Sequence, residues 1–288
     1  MIDDPLLPPV GVLRMDDRTT RWRVWASKAQ RVDLVLDPEG QARTVSMTAE
    51  PGGYFVCETE AVADGQRYAY SLDGGPPLPD PLSRWQPDGV NRPSAVFDPT
   101  RFPWNESNWR GLDDPRDLIF YELHVGTFTS EGTFDAVIPR LDSLKELGIT
   151  AIELMPVGQF SGQRGWGYDG VHPFAPQNSL GGPQGLQRLV EASHRAGLAI
   201  YLDVVYNHLG PEGNVFPAYG HYFNDRYRTD WGPAINYDNA SCDQVRAMVL
   251  ENVRMWIRDY RFDGLRLDAA DQIYDRSASP LLAEVAEP

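Results

Sequence analysis

The second part of the sequence alternates between runs that fit buried β-strands and segments that fit amphipathic helices. The apolar runs are nearly continuous, which is typical of strands covered on both faces. In the helical segments, apolar residues recur at spacings of three and four, and a capping-box pattern at residues 241–244 opens the third helix. The predicted strands cover residues 118–125, 149–155, 198–206 and 262–269, and the predicted helices cover residues 133–147, 183–197, 241–257 and 281–287. This order predicts a parallel sheet covered by helices.

The loops on the two sides of the predicted sheet differ in length. Short turns at Gly148 and Gly197 lead into the second and third strands, whereas long and chemically varied loops follow the strands. This asymmetry places the working face at the carboxyl ends of the strands, as in a (β/α)8 barrel. Such a barrel takes roughly 250 residues. The prediction is therefore a multi-domain chain in which residues 117–288 form the first half of an α/β (β/α)8 TIM barrel.

The residues before this barrel predict two further regions. Residues 1–75 contain short alternating segments separated by turn residues, which predicts an all-β sandwich. Its aromatic residues fit a hydrophobic core better than a sugar-stacking surface. Residues 76–116 are rich in proline, which prevents long helices and central strands. Because this region also carries large apolar side chains, we expect an ordered connector.

Composition argues against several classes of function. The net charge of −15 is unfavourable for binding nucleic acid or anionic membranes, because phosphate groups are held by basic surfaces. No run approaches the ~18 apolar residues of a membrane span, and the first residues show no signal-peptide pattern, so we expect a cytoplasmic protein. Cys57 and Cys242 lack the spacing of metal ligands, and the sequence indicates neither a metal ion nor a cofactor.

Two charged side chains are predicted to lie side by side at the end of the fourth strand. Because side chains alternate along a strand, Arg266 and Asp268 share one face of residues 262–269. Asp203, on the third strand, is expected to meet Arg266 inside the barrel. A cation beside a carboxylate suits a site that stabilises positive charge, but it equally fits a structural ion pair that closes a strand.

Candidate ligand contacts follow the neighbouring strands. His208 lies just beyond Asp203 in an apolar segment, which favours a functional role over a structural one. The loop at residues 165–172 combines glycines with Tyr168 and Asp169, and flat aromatic rings with polar groups at the rim are typical of pockets for small polar ligands. The same composition fits a packed structural loop equally well.

Residues 203–208 and 264–268 together resemble the third-strand and fourth-strand motifs of the α-amylase clan, glycoside hydrolase family 13. Residues 167–169 are similar to its substrate-stacking loop. Within the clan, residues 121–128, 173–178 and 207–214 most resemble the maltooligosyltrehalose trehalohydrolases. The resemblance covers nearly the whole chain, including a sandwich similar to a glycogen-binding-like domain. Branching and debranching enzymes share that domain, so it does not separate these activities.

The resemblance implies a role for each matching residue. Asp268 is the expected nucleophile of a retaining double displacement, and Arg266 is the cation that orients it and keeps it anionic. His208 and Tyr168 are expected to line the subsite of the glucose undergoing cleavage. Asp203 is expected to support Arg266 from behind.

The resemblance also implies a substrate, maltooligosyl trehalose or a related α-glucan, cleaved at the α-1,4 bond next to the terminal trehalose. Asp169 is expected at the rim of the site or in its scaffold. Two alternatives remain open: a branching or debranching enzyme of the same clan, and a non-catalytic glucan-binding fragment.

A retaining hydrolase needs a second carboxyl group as general acid and base. The clan places this group at the end of the fifth strand, beyond the four strands predicted here. Glu284 and Glu287 belong to a predicted surface helix and are poor candidates for the role. We therefore expect a truncated barrel that is inactive and aggregation-prone alone, because its two edge strands and apolar faces are uncovered.

Overall fold

The amino-terminal part of the chain forms a sandwich of two four-stranded sheets, as predicted. The computed structural model describes residues 10–105 and 109–286 of the protein. The strands of this part are β1 (Gly11–Arg14), β2 (Thr19–Trp25), β3 (Val32–Leu36), β4 (Arg43–Ser46), β5 (Thr48–Glu50), β6 (Tyr54–Glu60), β7 (Arg67–Leu72) and β8 (Ser94–Ala95).

The proline-rich segment after the sandwich is packed against it and contributes one of its strands. One sheet has the order β1-β2-β6-β5 and the other the order β4-β3-β7-β8, with all neighbouring strands antiparallel. The edge strand β8 lies within residues 76–116. Asp80 of the same segment is buried and accepts a hydrogen bond of 2.8 Å from the hydroxyl of Tyr68. These contacts order the segment despite its many prolines.

The remainder of the chain alternates strands and helices around a parallel sheet. Its strands are β9 (Phe120–Leu123), β10 (Ala151–Leu154), β11 (Gly158–Gln159), β12 (His172–Pro176), β13 (Ala199–Val204), β14 (Phe223–Thr229), β15 (Gly232–Ile235) and β16 (Gly264–Leu267). Its helices are α1 (Val125–Phe128), α2 (Phe134–Val137), α3 (Leu141–Glu146), α4 (Gly182–Ala196), α5 (Phe216–Tyr219), α6 (Cys242–Arg254) and α7 (Leu281–Ala286).

The parallel sheet has the order β16-β13-β10-β9, which is the arrangement expected for the first four strands of a barrel. Strands β11 and β12 form one antiparallel pair in a loop, and β14 and β15 form another. Each parallel strand is four to six residues long, shorter than the apolar run that predicted it. Within the described residues, no helix combines the length and the apolar character needed to cross a membrane.

Two details of the predicted helices are wrong. The helix predicted at residues 133–147 is interrupted by a 3-10 turn at Ile138–Arg140, because Pro139 has no N–H to donate and its ring crowds the preceding turn. The capping box predicted at residues 241–244 is absent. Ser241 has φ 62° and its side chain makes no capping hydrogen bond, since a capping side chain needs an extended backbone at that position.

Arg246 on α6 contacts three other segments of the chain through two ion pairs and a backbone hydrogen bond. Its guanidinium binds Asp275 at 2.6 Å and Glu284 of α7 at 2.6 Å, and it also donates to the backbone oxygen of Tyr237 at 3.0 Å. The side chain of Asp275 is only 3% exposed. This cluster fixes the segment that follows β16 against α6.

Replacing Arg246 by Met should lower the free energy of unfolding by about 3–5 kcal/mol, because the buried Asp275 carboxylate loses its cation. Arg188→Met is the matched control. It breaks a pair with Asp135 whose side chains are 45% and 52% exposed, and such pairs contribute at most about 1 kcal/mol. Urea titrations of both variants measure the difference. Equal losses would contradict a stabilising role of the buried cluster.

Candidate active site

The carboxyl ends of β13 and β16 place one cation between two carboxylates. The two strands pair in parallel with Asp203 opposite Arg266. Nη1 of Arg266 donates to Oδ2 of Asp203 at 2.8 Å and to Oδ1 of Asp268 at 2.7 Å. The Asp203 side chain is fully buried, whereas the Arg266 side chain is 44% exposed. The structure therefore brings together three charged residues from two neighbouring strands, as the sequence predicted.

Asp268 projects from the point where β16 ends. Its N–H still donates to the backbone oxygen of Val204 at 2.9 Å, which continues the pairing with β13. The next residue, Ala269, has φ 39° and ψ 54°, a left-handed conformation that costs a non-glycine residue about 1–2 kcal/mol. This turn takes the chain out of the sheet directly after Asp268. The Asn207 amide supports the turn by donating to the backbone oxygen of Asp268 at 2.8 Å and to its Oδ2 at 3.2 Å.

Tyr168 reaches the same cluster from the loop between β11 and β12. Its hydroxyl donates to Oδ2 of Asp203 at 3.0 Å, the oxygen that also accepts from Arg266. The loop passes very close to the end of β10 at Gly167. This residue has φ 96°, and a Cβ atom there would lie 1.9 Å from the backbone oxygen of Pro156. Glycine is therefore required next to Tyr168.

Burial and neighbouring charges both shift the pKa values of the ionisable groups of the cluster. Burial raises the pKa of Asp203 to about 6, although hydrogen bonds from Arg266 and Tyr168 lower it. Burial also raises the pKa of Tyr168, and the charge of Asp203 raises it further. For Arg266, burial opposes the charged form, but hydrogen bonds to Asp268 and Asp203 raise the pKa overall. Arg266 is therefore cationic, and Tyr168 retains its proton for the bond to Asp203.

His208 lies beside an exposed tryptophan that the sequence analysis did not single out. Trp231, in the turn between β14 and β15, stacks on the His208 ring with centroids 5.3 Å apart and an interplanar angle of 26°. His208 is 3% exposed, whereas Trp231 is 53% exposed. The sequence signal that could have identified Trp231 is a large aromatic residue within a turn, where its ring is not buried in the hydrophobic core. Its position over His208 depends on tertiary contacts.

Burial, a hydrogen bond to Asn207 and two nearby carboxylates together set the protonation of His208. Because the amide nitrogen of Asn207 is bound to Asp268, its carbonyl oxygen faces His208 and accepts a hydrogen bond from Nδ1. Burial lowers the pKa of His208, while the charges of Asp268 and Asp169 oppose the shift. Asp169 thus lies near enough to act on His208 electrostatically.

Two glutamates lie one layer below the cluster in the parallel sheet. Glu122 and Glu153 are register partners on β9 and β10, and Glu153 is opposite Tyr201 on β13. Tyr201 precedes Asp203 by two residues, so this layer lies about 7 Å along the strand. Burial, followed by the charge of Glu122, raises the pKa of Glu153. Across residues 10–105 and 109–286, no group of three or more His, Cys, Asp or Glu side chains is arranged to hold a metal ion.

Two family models match consecutive parts of the chain. Residues 9–82 match carbohydrate-binding module 48, the isoamylase N-terminal domain. Residues 98–234 match the alpha amylase catalytic domain. The first match covers strands β1 to β7 of the sandwich. The second covers β9, β10 and β13 with the loops that carry Tyr168 and His208.

Several proteins named malto-oligosyltrehalose trehalohydrolase are similar to this chain. That of Saccharolobus solfataricus is 46% identical over 95% of the chain, and that of Deinococcus radiodurans is 45% identical over 93%. The chain spans 48% and 43% of the length of these two relatives. The similarity thus extends over nearly all of this chain but over about half of each relative.

Solved structures support the same grouping. A crystal structure from Salmonella typhimurium described as an alpha amylase superposes with a TM-score of 0.90 at 42% identity, covering 96% of this chain and 46% of that one. A pullulanase from Anoxybacillus sp. LM18-11, complexed with maltotetraose, superposes with a TM-score of 0.77 at 25% identity, covering 90% and 44%. By its sandwich, its parallel strands and these similarities, the chain belongs to the α-amylase family.

Proposed function

We propose that the whole protein carrying this chain is a retaining glycoside hydrolase that releases trehalose from maltooligosyl trehalose. It cleaves the α-1,4 bond next to the terminal trehalose. The observation that carries the proposal is the cluster of Asp203, Arg266 and Asp268 at the strand ends, where a fixed carboxylate projects from the sheet. Relatives named for this activity support it, at 39–46% identity over 92–95% of the chain.

Asp268 is the nucleophile in this proposal. In the first step its carboxylate attacks the anomeric carbon, the glycosidic bond breaks, and the leaving oxygen takes a proton from a general acid. Arg266 holds the carboxylate by Oδ1, and Asp203 holds Arg266 from the buried side. In the second step water attacks the same carbon, loses a proton to the general base, and releases Asp268 from the glycosyl-enzyme.

The proton donor is assigned to a part of the protein outside the described residues. Retaining hydrolases place this group about 5–5.5 Å from the nucleophile. Asp203 is already bound to Arg266, and Glu284 is bound to Arg246. Glu153 lies a full layer of the sheet, about 7 Å along the strand, from the level of Asp203. None of these three carboxylates is free at the required position.

Tyr168 and His208 form the proposed position of the glucose ring that is cleaved. The hydroxyl of Tyr168 is held by Asp203, which fixes its ring as an apolar face for the C–H groups of the sugar. His208 is buried, which lowers its pKa and favours a neutral ring that hydrogen-bonds a sugar hydroxyl. Asp169 acts from the rim through its charge on His208.

The products of the whole protein separate this proposal from its alternatives. Given maltooligosyl trehalose, the protein should release free trehalose, which chromatography detects. New α-1,6 branch points in amylose would identify a branching enzyme, and hydrolysis of pullulan would identify a debranching enzyme. Binding of glucans without turnover would identify a binding protein. Any of these three results in place of trehalose release contradicts the proposal.

Replacing Asp268 by Asn should lower the turnover number of the whole protein at least about a thousandfold, because an amide is a very poor nucleophile. Asp271→Asn is the control, since this carboxylate is exposed, lies three residues further on and bonds the side chain of Gln272. It should retain near-normal turnover in steady-state trehalose release. An active Asp268→Asn variant would remove Asp268 from the nucleophile role.

The Asp203 carboxyl should titrate at a pKa of about 6 in this chain, measured by carbon NMR with Asp203→Asn to identify its signal. Tyr168→Phe removes a hydrogen bond to the charged form and should raise that pKa further. Tyr274→Phe is the control, because its hydroxyl donates to Gln272 instead.

The sign of the pH effect follows from the raised pKa of Asp203. An unfolded aspartate titrates near pH 4, so between about pH 4 and 6 the folded chain binds the extra proton. The contribution of Asp203 to stability is therefore present at the acidic end of this window and decreases as the pH rises through it. A carboxyl that titrates at or below pH 4 in the folded chain would contradict both statements.

A further inference from the structure

The sandwich keeps all of its aromatic side chains inside. Residues 1–75 contain six aromatic residues, and each is at most 5% exposed: Trp22, Trp25, Tyr54, Phe55, Tyr68 and Tyr70. Sugars are commonly held on exposed aromatic faces, and the described surface of the sandwich presents none. These aromatic residues therefore belong to the hydrophobic core, as the sequence favoured.

Trp25 is covered by the segment that precedes the β14–β15 hairpin. Its ring meets Tyr222 edge to face, with centroids 4.6 Å apart, and Tyr222 packs in the same way on Phe216 at 4.7 Å. Tyr70 of β7 similarly meets Tyr219 at 6.5 Å. All five rings are at most 2% exposed. The sandwich and residues 216–222 therefore share one aromatic core.

Backbone contacts fix the same segment to the sandwich. The N–H of Lys28 donates to the backbone oxygen of Tyr219 at 3.1 Å, and its Nζ donates to the backbone oxygen of Pro217 at 2.9 Å. Gly220 lies so close that an added Cβ atom would be 2.8 Å from the Trp25 ring. The fit leaves no room for the segment to shift toward the sandwich.

This segment leads directly into the β14–β15 hairpin, which carries Trp231. Tyr222 directly precedes β14, and its backbone oxygen accepts a hydrogen bond of 2.9 Å from the N–H of Asn236, just after β15. The hydrogen bond at the base of the hairpin is therefore made by Tyr222, the residue on which the Trp25 ring packs. At the other end of the hairpin, Trp231 stacks on His208. One continuous path of contacts thus links the sandwich core to the rim of the active site.

We propose that the sandwich acts as a brace that positions the β14–β15 hairpin, with Trp25 as the positioning residue, instead of holding glucan itself. The brace fixes the Trp231 ring over His208. Its effect on substrate rests on the proposed function, because it requires that a sugar binds beside His208. Its effect on the hairpin does not depend on the reaction at all.

Hydrogen exchange of the hairpin tests the brace in the whole protein that carries this chain. Trp25→Phe reduces the ring contact with Tyr222. Trp22→Phe is a matched control, because Trp22 lies on the same strand, is equally buried and packs on Tyr68 inside the sandwich. We expect amide exchange at residues 223–235 to accelerate about tenfold in Trp25→Phe and to stay unchanged in Trp22→Phe, as measured by mass spectrometry.

Gly220→Ala provides a second variant that leaves the sandwich sequence intact. Gly220 has φ −161°, which any residue adopts, so the effect of the new methyl group is its collision with the Trp25 ring. The same acceleration of exchange is expected. Unchanged exchange in both Trp25→Phe and Gly220→Ala overturns the brace, and so does an equal acceleration in Trp22→Phe.

Two further measurements separate the brace from the proposed function. In the whole protein, Gly220→Ala should raise KM for maltooligosyl trehalose about fivefold with a smaller change in kcat, because it displaces a binding surface and not the nucleophile. A protein that acts on a different glucan would contradict the proposed function and leave the exchange result intact. Protection of amides within residues 10–75 by maltoheptaose would overturn the brace by showing that the sandwich holds glucan.

Discussion

The position of Arg266 between Asp203 and Asp268 is the contact on which the site depends. One guanidinium nitrogen serves both carboxylates, so the distance between β13 and β16 and their register must both be correct. A slip of one residue would turn Arg266 to the opposite face of the sheet. The β13–β16 register is supported by the Asp263 carboxylate, which accepts from the N–H of Ile200 at 2.8 Å at the start of the strand. The geometry of the cluster at the strand ends thus depends on the pairing at the beginnings of these strands.

Asp203, the buried partner of Arg266, is also linked to the aromatic residues around the cluster. Asp203 has no exposed surface and accepts from both Arg266 and Tyr168, so it fixes the cation and the aromatic ring together. Asn207 connects the backbone of Asp268 to the ring of His208. The hairpin then adds Trp231 over that ring, and the sandwich holds the root of the hairpin through Trp25. In the proposed arrangement, the amino-terminal domain positions part of the site without supplying a residue to it.

Local rules predicted much of the helical structure but failed where a single residue overrides the pattern. Helix α4 begins and ends as its proline and glycine signals indicate, with Gly197 in the left-handed conformation at φ 75°. The periodicity of residues 133–147 is equally regular, yet Pro139 breaks the helix because the missing N–H outweighs the apolar pattern. Ser241 carries the residue type of a helix cap but adopts a backbone conformation that prevents capping.

The sequence by itself determined the order of the four parallel strands and of the main helices between them. It also determined the face on which Arg266, Asp268 and Asp203 lie, because alternation along a strand is a local property of the chain. It also suggested His208 through its position just beyond a strand end, and Tyr168 through the composition of its loop. Only the tertiary structure decided that Trp231 covers His208 and that Trp25 packs on Tyr222. These contacts join residues far apart in the chain through irregular loops. Such loops carry no periodic pattern, and their paths are set by the surfaces on which they pack.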